Sequence, residues 1–124
     1  MGIEYKIHQA IDTSVMVASG AVSISDILKV IEEARLERKG EGLSRQLIDL
    51  SKIELAFTIN EGRAVILALQ KMADMLGTQK IALIFGPSHS QYILDKLVTL
   101  VDYSRHDIAF FSDKHSAVQF LKEL

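Results

Sequence analysis

Four histidines, one serine-rich junction and a handful of carboxylates are the residues with which this chain could do chemistry. His8, His89, His106 and His115 are dispersed, and no two have the four-residue spacing that lets a helix offer a pair of imidazoles to a metal. His106 and His115 fall on either side of one strand-like run, which holds them apart, so the histidines read as structural or surface residues. Ser88, a histidine and Asp49 make a hydrolase triad only on paper, because no G-x-S-x-G elbow accompanies any serine. Asp12, Asp49, Glu54 and Glu61 are too scattered to name as an acid-base pair. No residue acquires a catalytic role, and no metal or cofactor is implied.

Two junctions carry more pattern. Gly86-Pro87-Ser88-His89-Ser90 follows the most apolar run of the chain and opens a helical stretch. Free amides at a helix start favour anions, and the carboxyl ends of parallel strands are where open sheets bind ligands. The segment lacks both the G-x-G-x-x-G spacing and the Walker lysine, so it reads as a turn followed by an N-cap at Ser88. Thr58-Ile59-Asn60-Glu61 has capping-box spacing, in which the threonine hydroxyl accepts from the Glu61 amide while the Glu61 carboxylate reaches back.

The elements that must position these residues follow from hydrophobic period. Ile3, Tyr5 and Ile7 alternate with polar neighbours as in a half-buried strand, and Val15 to Val22 reads as a second, closing an antiparallel hairpin across Asp12-Thr13. Gly20 interrupts that second strand as a bulge residue does. Ser23 and Asp26 form a variant capping box before Ile24, Ile27, Leu28, Ile31 and Ala34 at helical spacing, with Glu37-Arg38-Lys39-Gly40 closing the helix. Leu47 to Leu50 is a short buried strand. Ala64, Val65, Ala68 and Met72 stripe the next helix, and Gly77 stops it.

Ile81 to Phe85 is apolar throughout, as in a central strand covered on both faces. Ile93, Leu97, Leu100 and Val101 mark a third helix and Ile108 to Phe111 a last strand. Ser112 is the expected cap of a final helix bearing Val118, Phe120, Leu121 and Leu124. The order ββαβαβαβα, strands alternating with helices after a hairpin, predicts one α/β domain over residues 1–124, with a mixed, mostly parallel five-stranded sheet and four helices.

Composition bounds the role. A chain of 124 residues, 48% hydrophobic and 24% charged, has the balance of an ordinary single globular domain rather than of a disordered one. Fourteen basic against sixteen acidic residues leave a charge of −2 with no basic run to track phosphates, so nucleic acid is not an expected partner. The absence of cysteine excludes disulfides and thiolate chemistry and fits a reducing compartment. MGIEYKIHQA has no apolar core of signal-peptide length, and no stretch approaches a membrane span, so the expected location is cytoplasmic.

The element order resembles that of SpoIIAA-like/STAS domains. One junction sharpens the resemblance: Leu47-Ile48-Asp49-Leu50-Ser51, then Asn60-Glu61-Gly62-Arg63-Ala64-Val65-Ile66-Leu67, looks like the family's strand ending near an Asp and its Asp-Ser-x-Gly-like helix opening. In the phospho-regulated antagonists of that family a serine just before the glycine accepts phosphate. Here Glu61 stands in that place with Asn60 before it, and neither forms a phosphoester. Glu61 is therefore either a permanent stand-in for the phosphoserine or half of a capping box. Many of the family's stand-alone relatives carry a tryptophan in the closing helix, where this chain has Phe120.

The resemblance implies a non-catalytic regulatory or binding domain. Its first expected mode is protein recognition at the junction Thr58, Asn60, Glu61, Gly62 and Arg63, where Thr58 is the one hydroxyl able to accept phosphate. The alternative is a carrier or sensor of a small nonpolar ligand held between sheet and helices, with Phe57, Met72, Phe85 and Tyr92 as lining. The second helix, with Ile66, Leu69, Met72, Met75 and Leu76, is apolar around much of its circumference, and Leu94, Val98 and Tyr103 add to the third. Such faces are either core or interface, and if exposed they make a homodimer the default assembly.

Overall fold

The computed structural model describes residues 2–8, 13–37, 44–54, 58–86, 91–101 and 107–122. Its elements are β1 (Gly2–His8), β2 (Thr13–Gly20), α1 (Ile24–Glu37), β3 (Arg45–Ile53), α2 (Ile59–Leu76), β4 (Lys80–Phe85), α3 (Gln91–Leu100), β5 (Asp107–Phe111) and α4 (Lys114–Lys122). The five strands form one mixed sheet in the order in which they occur along the chain. β1 and β2 are antiparallel; β2, β3, β4 and β5 are all parallel.

Each parallel strand lies on the same side of the one before it, so right-handed crossovers must carry α1, α2 and α3 over the same face. The core agrees. Met16 and Ala18 of β2, Ile48 and Leu50 of β3, Ile81 and Leu83 of β4 and Ile108 of β5 meet Ile27 and Ile31 of α1, Leu69 and Met72 of α2 and Leu97 of α3 in one cluster. α2 lies between its two neighbours, packing on α1 and on α3 as well as on the sheet. That position accounts for a helix apolar around much of its girth: Val65, Ile66, Leu69, Met72, Ala73 and Leu76 are all buried. Arg35 of α1 joins the two helices, donating through Nε to Glu32 at 2.9 Å and placing Nη1 at 2.7 Å from the Met75 sulfur.

The opposite face is covered by α4, which packs over β3, β4 and β5. Ala117 and Leu121 bury Leu47, Ala82 and Ile84, with Val15, Phe111 and Phe120 at the margin. Two cations hold the carboxyl end of α4. Arg45 and Lys80, paired in register on β3 and β4, donate to the Leu121 carbonyl at 2.7 Å and to the Phe120 carbonyl at 3.0 Å. Lys80 is 8% exposed, and its ammonium also stands 4.7 Å from the centre of the Phe120 ring. Positive charge at the carbonyl end of a helix offsets the partial negative charge there, and a charged donor satisfies an otherwise orphaned acceptor.

The structure corrects several sequence expectations, and β3 runs from Arg45 to Ile53, beyond the expected Leu47 to Leu50. β2 starts at Thr13 and ends at Gly20, so Val22 is buried beyond the strand, and the register shift lies between Val17 and Ser19 rather than at the glycine. Gly20 instead takes φ of 78°, the left-handed conformation in which the strand ends. α4 is capped by Asp113, not Ser112: its carboxylate accepts from the Ser116 amide at 2.7 Å and the Ser116 hydroxyl at 2.9 Å. Leu100 is 42% exposed at the end of α3 and is not core. The expected caps at Ser88 and Gly40 lie outside the described residues.

Two outcomes follow. Lys80→Met keeps the apolar stem but strands the Phe120 carbonyl, and is expected to cost about 1–3 kcal/mol. Urea denaturation checks it, and an unchanged midpoint would mean that α4 docks without the Lys80 ammonium. The second concerns acid. The amide and then the hydroxyl of Ser116 hold the Asp113 carboxyl below the usual aspartate range. Stability from this group is therefore complete above its unfolded pKa and is lost as pH falls through the lowered folded value. Asp113→Asn should lose less stability than the parent across that acid window, as read from thermal melts at stepped pH.

Candidate functional site

A cleft of about 600 Å³ opens at the carboxyl ends of β4 and β5, beneath α3. Phe85 and Gly86 from the end of β4, and Phe110, Phe111 and Ser112 from the end of β5, form its floor. Gln91, Leu94, Asp95 and Val98 form its roof. Those four positions have the i, i+3, i+4, i+7 spacing of a single helix face, so one side of α3 is turned to the opening. The Phe85 and Phe110 rings meet at 5.5 Å between centres, tilted by 45°. Gln91 Nε2 donates to Asp95 Oδ1 at 2.8 Å across one turn of α3, fixing the carboxylate at the rim.

The cleft exists because α3 is anchored sideways. α3 packs mainly on α2 rather than on the sheet, through Leu97, which is fully buried. Gly62 makes that approach close: a Cβ there would meet both Leu97 methyl carbons at 2.8 Å. Leu97 sits in the notch that glycine leaves, and α3 consequently stands off β4 and β5. Gly86 is a second close approach. A Cβ on it would come within 2.2 Å of the Ser51 carbonyl oxygen, so no side chain fits between the ends of β3 and β4. The backbone at Ser51 is held by Asp49, whose Oδ1 accepts from the Ser51 amide at 3.0 Å and the Ser51 hydroxyl at 2.6 Å.

At the α2 junction, Thr58 Oγ1 accepts from the Glu61 amide at 3.1 Å and the Thr58 amide donates to the Glu61 carboxylate at 3.0 Å, the complete reciprocal box. Both side chains are thus engaged in starting α2, which helix physics requires. Gly62 is buried under Leu97 and presents nothing to a partner. Asn60 and Arg63 are exposed, and Leu67, one turn on from Arg63, is 51% exposed. The junction expected as a recognition surface therefore divides into two capping residues, one packing notch and two exposed polar side chains.

Of the four residues expected to line a ligand site, Phe85 does so. Met72 is 1% exposed within the core cluster, where neighbouring side chains already surround it. Tyr92 is 64% exposed, with the Lys96 ammonium 5.6 Å from its ring centre, and is not among the described lining. Phe57 lies outside the described residues, as do His89 and His106; His115 is exposed on α4. The lining that sequence reasoning passed over is Gln91, Asp95, Phe110 and Ser112. Its signal was a second stripe on α3, Gln91-Leu94-Asp95-Val98, running beside the apolar stripe that packs inward.

Among the described residues no three histidine, aspartate or glutamate side chains are grouped so as to hold a metal ion, and no helix is long and apolar enough to cross a membrane. Neither a scan against protein-family models nor a search of curated proteins finds a match, so side-chain geometry carries the functional argument.

Gly86→Ala tests the construction of the floor. Its Cβ must displace backbone rather than a flexible side chain, and an overpacking cost of about 1–3 kcal/mol is expected. Gly62→Ala has only the Leu97 methyls to move and gains helix propensity, so its midpoint should shift far less. Equal effects in urea denaturation would show that the two close approaches are equally compliant.

Proposed function

We propose that this chain is a non-catalytic binding domain of SpoIIAA-like/STAS-like organisation that holds a small molecule with an apolar body in the cleft beneath α3. The family assignment is supported by the element order, the opening antiparallel pair and the four parallel strands. The ligand reading is carried by one observation, a cleft of about 600 Å³ at the carboxyl ends of two parallel strands. That is a ligand-sized volume in the part of an open sheet where ligands gather. Phe85, Leu94, Val98 and Phe110 provide apolar walls, while Gln91, Asp95 and Ser112 provide a few polar groups to fix orientation. The function is capture or sensing of a small molecule, without chemistry on it.

A second reading, protein recognition, rests on the outer face of α2. Asn60, Arg63 and Leu67 recur at one-turn spacing on an exposed side, beginning at the junction that the family resemblance singles out. On this reading Thr58, Glu61 and Gly62 act indirectly, by fixing where α2 starts and how α3 lies against it.

Native mass spectrometry under gentle and then denaturing conditions tests both. A co-purified small molecule lost on denaturation, and absent from a Val98→Trp variant of unchanged melting temperature, is the expected result. A bare monomer mass that added amphiphiles never shift would overturn the ligand reading. A dimer mass converted to monomer by Leu67→Lys would make the α2 face a contact between copies of this chain and favour recognition.

A further inference from the structure

Resting on the ligand reading of the cleft, we infer that its ligand class is a small organic cation, an amine or quaternary ammonium carried on an apolar body. Among the described residues the lining combines aromatic side chains with a single sign of charge. Phe85 and Phe110 line its floor as a tilted pair 5.5 Å apart, while Phe111 borders it at the end of β5 with its ring against Phe120 of α4. The face of an aromatic ring is the negative end of its quadrupole and attracts a cation placed over it. Asp95 is the one charged side chain among the described lining residues. Its Oδ1 is already held by Gln91, a bond that fixes the carboxylate in place without neutralising it.

The described cation adjacent in sequence is directed elsewhere. Lys96, adjacent to Asp95 in sequence, folds its ammonium over Tyr92 and is not part of the described lining. A neutral apolar ligand would gain from the phenylalanine floor but would not engage the exposed carboxylate at the rim. An anionic ligand would face that carboxylate directly, although the amino end of α3 at the same rim attracts negative charge. A cationic head satisfies Asp95 while its alkyl or aryl body fills the space bounded by Leu94 and Val98.

The test uses three probes of one shape and different charge: phenylpropyl-trimethylammonium, phenylpropanol and phenylpropionate. Each is titrated into the full chain and followed by amide chemical shifts. The expected result is shifts at Gly86, Leu94, Val98 and Phe110, with the cation about tenfold tighter than the alcohol and the carboxylate weakest. Asp95→Asn should abolish most of that preference by bringing the cation's affinity down to the alcohol's, which a merely structural role for Asp95 would not do. Binding of all three at the cleft with equal affinity, or with the carboxylate tightest, would overturn the inference and leave the ligand reading standing. Shifts confined to other surfaces, or none with any probe, would overturn the ligand reading and the inference with it.

Discussion

The direction in which the sheet grows is the constraint from which the rest follows. Because β3, β4 and β5 are each added on the same side of the preceding strand, three right-handed crossovers stack three helices on one face and leave the other bare. A strand such as β4, apolar at every position from Ile81 to Phe85, cannot be left half in water. α4 must therefore cross back over the sheet, and the Arg45 and Lys80 side chains hold its carboxyl end there. A short helix with two buried apolar residues, Ala117 and Leu121, gains from charge-assisted anchoring what it lacks in buried area.

The same growth rule sets the geometry of the cleft. Helices laid side by side on one face compete for width, and α2, in the middle, takes the deepest seat. α3 is drawn toward it because Gly62 leaves room for Leu97, and the space that α3 vacates above β4 and β5 becomes the opening. The junction at residues 58 to 63 and the cleft are thus parts of one arrangement: the capping box fixes where α2 begins, the glycine fixes how near α3 comes, and the gap follows.

What the sequence made legible is what depends on neighbours in sequence. The Thr58–Glu61 box, the Gly77 stop and the alternation of β1 are set within a turn or a pleat, and the residue types declare them. Asp113 was obscured by Ser112 beside it, since both are good caps and only the path of the chain decides between them. The Arg45 and Lys80 anchors join groups 76 and 40 positions apart in sequence, and nothing local distinguishes them from surface cations. Gly62 looked like part of a recognition motif because its role depends on Leu97, a residue of another helix. The cleft was hidden for the same reason: Leu94 and Val98 read as either core or interface, and only the lateral seating of α3 puts them along an opening.

A sheet whose spatial order repeats its order along the chain has a further consequence during synthesis. Each strand finds its partner already made, so the sheet can be built outward as the polypeptide leaves the ribosome, without waiting for a distant segment to insert between strands. The face destined for α4 is the exception. Leu47, Ala82 and Ile84 are all in place before that helix emerges, and for that interval the nascent domain carries a greasy surface with no lid. Chaperone contact is expected to concentrate in that window.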